Sequence, residues 1–231
     1  MNKILLLCLA LSTASQALAA NRSETTIQLI MDDSGVLVEA ETAYDYKLAI
    51  LGSLKGLTRK REFAKAHIDV ISTTLGRTVW SGTPGDLKRN KARSLALVES
   101  IKADPARCNN LSGAFIELKS NIAALERQDY KKIYVIVFSS LIHTPVPCAE
   151  DTQITLPQAP PLGGDINEAL QSSSHIRSIR FYWVSPHQKR LWEEYLKPSF
   201  KSFSIYRRTF TLMDMERSKY EISQGLTLEE K

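Results

Sequence analysis

Residues 27–41 read "IQLIMDDSGVLVEAE". An apolar β-type run, TIQLIM at 26–31, stops at Asp32-Asp33-Ser34-Gly35, and a helix-compatible segment begins near Glu39. Asp, Ser and Gly are favoured turn residues, so these four alone predict only a turn. Their placement says more. In sheets built of alternating strands and helices, sites gather where strands end at their carboxyl termini.

The rest of the chain keeps that alternation. A helix is expected over 39–54, closed by Gly56, followed by two strands, HIDVIST and RTVWS, joined through Gly76. GTPGD reads as a turn, with Asp86 as N-cap of a helix running to about Ala103. Leu111, Ala114, Phe115, Leu118, Ile122 and Leu125 recur at helical spacing and define one apolar face. KIYVIVFSS, ending at Ser139-Ser140, is continuously apolar, as a strand covered on both faces should be. A Pro-rich break spans 144–164, then a short helix capped by Asp165, the strand SIRFYWV, and a helix opened by Ser185-Pro186. SFSIYRR is expected as the last strand, with a polar helix after Thr211. Trp80, Trp183 and Trp192 fall within these patterns and are expected in the core. The fold class that follows is α/β: a single doubly wound, mainly parallel sheet with helices on both faces. The turn after Met31, the loop before Leu111 and the loop after Ser140 should then share one rim.

The first twenty residues, MNKILLLCLALSTASQALAA, join one lysine to an apolar run and a small-residue motif at Ala17 and Ala19. This is the pattern of a secretory signal peptide over residues 1–19, leaving residues 20–231 as one domain with a polar C-terminal tail. The apolar run is short for a membrane span, which needs about 20 residues, and none is expected after cleavage. A periplasmic or secreted product is the consequence. The formal charge is +5, one less when Lys3 is removed, and the cations are interspersed with acids. That argues against nucleic acid as a partner. Loss of Cys8 leaves Cys108 and Cys148, which in an oxidising compartment most simply form one disulfide.

In element order, and in three segments, the chain resembles a von Willebrand factor A-like domain. "MDDSGV" is similar to that family's D-x-S-x-S cation-binding turn at Asp32 and Ser34, with Val36 where the second serine belongs. "NNLSGAF" resembles the segment that opens with a threonine ligand, here Asn109, followed by Asn110. "VIVFSS" resembles the strand that ends in an aspartate, here replaced by Ser140. The resemblance implies a degenerate metal-ion-dependent adhesion site, in which Asp32, Ser34, Asn109 and Ser140 would hold Mg²⁺ or Mn²⁺ weakly or not at all. It further implies protein binding at that rim, through Asp32, Asp33, Ser34, Asn109, Asn110, Ser140 and His143. Partners in that family often supply an acidic side chain. Here the expected partner is another envelope protein, within a bacterial cell-envelope or secretion/conjugation assembly.

A second resemblance competes. "DDSGVLVEAE" is similar to the D-x-D-G-[TV]-L motif of haloacid dehalogenase-like phosphatases, with Asp32 as nucleophile. In that family the motif's second aspartate is the general acid, and Ser34 stands in its place. Asp165 and Glu168 depart from the usual spacing of the later acidic pair. The non-catalytic reading is therefore the leading expectation. His67, His143, His175 and His187 are dispersed and form no nucleophile–base pattern.

Overall fold

The computed structural model describes residues 24–105, 107–144, 154–161 and 165–228. Residues 1–19, expected as a signal peptide, and Cys148 lie outside the described residues. One six-stranded sheet organises the chain, in the order β3-β2-β1-β4-β5-β6. Its strands are β1 (Thr25–Met31), β2 (His67–Ser72), β3 (Arg77–Gly82), β4 (Lys132–Phe138), β5 (Ile176–Val184) and β6 (Thr209–Asp214). All neighbours are parallel except β2 and β3, which are antiparallel, so the sheet is mixed.

The helices are α1 (Ala40–Gly56), α2 (Pro84–Arg89), α3 (Lys91–Ser100), α4 (Leu111–Arg127), α5 (Asp165–Gln171), α6 (Pro186–Tyr195), α7 (Lys197–Ile205) and α8 (Met215–Ser223). Strand residues alternate between two apolar clusters, as the two-residue period of a strand requires. Ile27, Leu29, Met31, Ile136 and Phe138 join Ile50 and Leu54 of α1 and Ile222 of α8 in one. Ile30, Val135 and Val137 join Leu111, Phe115 and Leu118 of α4 and Trp192 of α6 in the other. The three tryptophans are buried, as expected.

Two sequence expectations are corrected. The helix expected from Asp86 to about Ala103 is two helices. Thr83 is the first N-cap and Asp86 its reciprocal partner in a capping box, while Asn90 breaks the helix and caps the next. The expected strand SFSIYRR is instead the end of helix α7, residues 202–205, followed by a turn at 206–207. Pro198 sits in its first turn, and Ser199 and Phe203, four apart, face inward. The last strand comes immediately after, with Leu212 and Met213 buried, and Asp214 caps α8 through the Arg217 amide.

The β3 edge is partly covered by side chains. The Thr78 amide donates to Glu117 of α4 at 3.0 Å, and Arg93 of α3 donates to the Ser81 carbonyl at 2.8 Å. An edge strand whose polar groups are met in this way is a poor template for pairing with another chain.

Candidate functional site at the carboxyl ends of the strands

β1 ends beneath the rim between its two neighbours. The Asp32 amide donates to the Phe138 carbonyl at 2.9 Å, and the Thr73 amide to the Met31 carbonyl at 3.1 Å. The loop before α4 closes from above, where the Asn110 amide donates to the Thr73 carbonyl at 3.1 Å. The three segments singled out in the sequence therefore meet.

The Asp32 carboxylate is fully buried, and both its oxygens are occupied. Oδ1 accepts from the Ser34 amide at 3.1 Å and the Ser34 hydroxyl at 2.5 Å. Oδ2 accepts from Asn109 Nδ2 at 2.9 Å and the Ser139 hydroxyl at 2.7 Å. Four donors meet the four lone-pair positions of an ionised carboxylate. Asp33 is saturated too, by Ser72 Oγ (2.8 Å), the Thr74 amide (3.0 Å), Arg107 Nη1 (3.2 Å) and Thr73 Oγ1 (3.4 Å).

Beneath both lies Lys47 of α1, whose ammonium has no solvent exposure. It donates to the Asp32 carbonyl and, at 2.8 Å, to the Ile101 carbonyl. Burial pulls its pKa down to about 8, against the opposing pull of Asp32 and Asp33. Burial likewise pushes Asp32 up from the ordinary carboxyl range, while Lys47, Ser34 and Ser139 pull it down. Neither group faces water, and each is the other's local counter-charge.

The remaining candidates divide. Asn109 does reach Asp32, but with its amide nitrogen. Nδ2 has two acceptors, Asp32 Oδ2 and the Ile142 carbonyl at 2.6 Å, so the amide orientation is fixed by chemistry. Its Oδ1 is buried without a hydrogen-bond partner among the described residues. Ser140 turns away to the Val36 carbonyl at 3.3 Å, and its neighbour Ser139 makes the contact with Asp32. Asn110 is the N-cap of α4, accepting from the Gly113 amide. His143 stands apart from Asp32, its main chain tied to Gln158. Burial lowers its pKa, and a hydrogen bond with the Asn109 backbone opposes that.

Sequence reasoning missed Lys47 and Ser139. The second serine of "FSS" was equally visible, and the facing of a strand's last residues decides which one turns inward. Lys47 carried a fainter signal: its heptad neighbours Ile50, Leu51 and Leu54 are all core residues, so it lies on the apolar face of α1.

As arranged, these residues do not fit a divalent cation. Mg²⁺ needs oxygen ligands with free lone pairs. Here the carboxylate is spent on donors, Asn109 turns its nitrogen inward, and an ammonium already supplies positive charge. Among the described residues no group of three His, Cys, Asp or Glu side chains is placed to hold a metal ion.

No family model matches the chain, and no curated protein matches it. Among solved structures, proximal thread matrix protein 1 from the mussel byssus is similar at 10% identity and a TM-score of 0.46. That similarity covers 88% of this chain and 47% of the other, so the chain spans about half the length of that protein.

Proposed function

We propose that the chain is a non-catalytic protein-binding domain of the von Willebrand factor A-like type, working without a metal ion outside the cytoplasm. The observation that carries this reading is the saturation of Asp32. Its four donors and the buried Lys47 occupy the positions and the charge that a cation and its waters would otherwise supply. The finer fold assignment goes with it: a doubly wound sheet with helices on both faces, supported by the two apolar clusters.

The same saturation weighs against an Asp32-dependent phosphatase. A carboxylate nucleophile needs a free lone pair and access to substrate. Asp32 has neither among the described residues.

With the polar centre closed, recognition falls to the loops that cover it. Leu75, in the turn after β2, is 54% exposed, and Leu156 of the Pro-rich loop is also exposed. A Cys108–Cys148 bridge would tie that loop to Asn109. Among the described residues no helix is long and apolar enough to cross a membrane. The partner is another protein of the cell envelope.

The test is photo-crosslinking in cells from a reactive side chain at position 75 or 156, with position 95 on α3 as control. Leu95 is equally exposed, at 59%. A discrete protein adduct from 75 and 156 but not from 95, unchanged by chelators, is the expected result. Adducts that vanish with EDTA would overturn metal independence, and equal labelling from all three positions would overturn a rim-directed interface.

A further inference from the structure

The opposite end of the sheet carries a different chemistry. β4, β5 and β6 run parallel, so their amino ends lie together, away from Asp32. A cavity of about 330 Å³ opens there, and four cationic residues line it: Lys132 at the start of β4, Arg177 at the start of β5, and Arg207 and Arg208 just before β6. Lys132 is answered by Glu62. Among the described residues no carboxylate pairs with Arg177, Arg207 or Arg208.

Arg177, Arg207 and Arg208 line one cavity with no carboxylate partner among the described residues, and the Arg177 charge bears on Arg208. Arg208 Nη1 donates to the Ser173 and Ile176 carbonyls at 3.3 and 3.1 Å, and its guanidinium lies 4.2 Å from the Phe203 ring centroid and 4.9 Å from that of Tyr206. Its Nε is buried with no acceptor among the described residues. Burial, reinforced by the Arg177 charge and opposed by Tyr206, lowers its pKa. Arg207 ends α7 with φ 52, a left-handed conformation that glycine adopts freely and a long side chain does not. A glycine would close the helix better. An arginine kept there at a conformational cost is a reason to look for what its charge does.

We propose that this cavity binds a phosphate-bearing anion, gripped by Arg177, Arg207 and Arg208. Guanidiniums match phosphate oxygens in a two-pronged geometry, and a phosphate monoester carries about −1.5 to −2 charges at neutral pH, which suits three cations better than one carboxylate does. The cavity is larger than a bare phosphate requires. Tyr206 and Leu228 line the remainder, so the ligand carries an organic portion. A soluble phosphate monoester carries that charge; a phospholipid headgroup, a diester with a single charge, offers the guanidiniums the same phosphate oxygens.

The test is calorimetry of the purified protein with glycerol 3-phosphate, beside sedimentation with phosphatidylglycerol and with phosphatidylcholine vesicles. Arg177→Gln and Arg207→Gly are the diagnostic variants. The expected result is glycerol phosphate binding, weakened at least tenfold in each variant, while Arg207→Gly melts no lower than the parent because glycine suits φ 52. Sedimentation with phosphatidylglycerol alone, competed by glycerol phosphate, would assign the anion to a headgroup, and its absence to a soluble ester. Binding equal in parent and variants, or none to either ligand, would overturn the proposal. So would binding that emerges only in Glu229→Gln/Glu230→Gln, since the cavity would then belong to the chain's own acidic end.

Discussion

The side-chain amide of Asn109 donates to the carboxylate of Asp32 at 2.9 Å, across 77 positions of sequence and inside a fully buried centre. A nitrogen thus points where an oxygen ligand was expected. Two polar residues that could face a cation from opposite sides instead bond to each other, and the rest of the network follows. Ser139 fills the second position on Oδ2, Ser34 fills both on Oδ1, and Lys47 balances the charge from below. A site in which every donor has its acceptor is easy to break in informative ways.

Asn109→Asp tests the nitrogen directly. The substitution keeps the shape and replaces a donor by a second carboxylate facing Asp32 Oδ2 and the Ile142 carbonyl. Two carboxylates in contact cannot both ionise cheaply, so one is pushed to high pKa. At neutral pH the variant should lose about 3–5 kcal/mol, as expected when a buried charge is left uncompensated. Its folded pKa would lie above the unfolded value, so the folded state binds the extra proton and the variant should regain stability as pH falls toward the ordinary carboxyl range. Urea melts at pH 7 and pH 5 measure this. If Mg²⁺ restored stability at pH 7, the centre would prove able to accept a cation after a single change.

Lys47→Met removes the ammonium and keeps most of its volume. Two buried carbonyls, of Asp32 and Ile101, lose their donor, and Asp32 and Asp33 lose their nearest buried cation. A loss of about 3 kcal/mol is expected in chemical denaturation. A variant as stable as the parent would show that Lys47 is a tolerated passenger and that the hydroxyl and amide donors suffice.

The same lysine should leave a mark on the alkaline side. Its folded pKa, about 8, lies below the ordinary lysine value of 10.5. Between those two values the unfolded chain holds a proton that the folded chain has released. The unfolded state then binds more protons, and stability from this group rises with pH across that window. Below about pH 8 both forms are protonated and the contribution is flat. The stability of the parent relative to Lys47→Met, followed from pH 7.5 to 10.5, should therefore increase. A difference that shrinks would mean that the attraction of Asp32 and Asp33 outweighs the burial of the ammonium.

Much of this architecture was legible in the residues. TIQLIM and KIYVIVF are long, continuous apolar runs that only a covered strand satisfies, and the apolar face of α4 repeats at helical spacing over its whole length. What failed was local. In 202–208 Phe203 and Ile205 alternate with polar residues as in a strand, while Phe200, Phe203 and Tyr206 recur three apart as in a helix, and packing of Ser199 and Phe203 against the body decides for the helix. The centre was legible as a meeting of three loops. Its chemistry was not, because sequence gives an asparagine two ends and does not say which turns inward.

Gly35 offers a final check on how tightly the centre is closed. A Cβ placed on it would lie 2.6 Å from the Pro105 carbonyl oxygen and 2.7 Å from the Pro105 Cα, both backbone atoms that no rotamer change can move. The Gly35 amide is also engaged, donating to the Arg107 carbonyl at 3.0 Å, and the Asp104 amide reaches the Asp33 carbonyl at 3.3 Å. The "DDSG" turn and the loop at 104–107 thus touch main chain to main chain, which only glycine permits. Gly35→Ala should force the two segments apart and cost about 1–3 kcal/mol. Because Arg107 reaches Asp33 from the same loop, separation should also expose the polar centre. Amide exchange at Ser34 and Thr74 would then quicken more than exchange in β4. Uniform quickening across the sheet would mean that the turn is coupled to global unfolding and has no opening motion of its own.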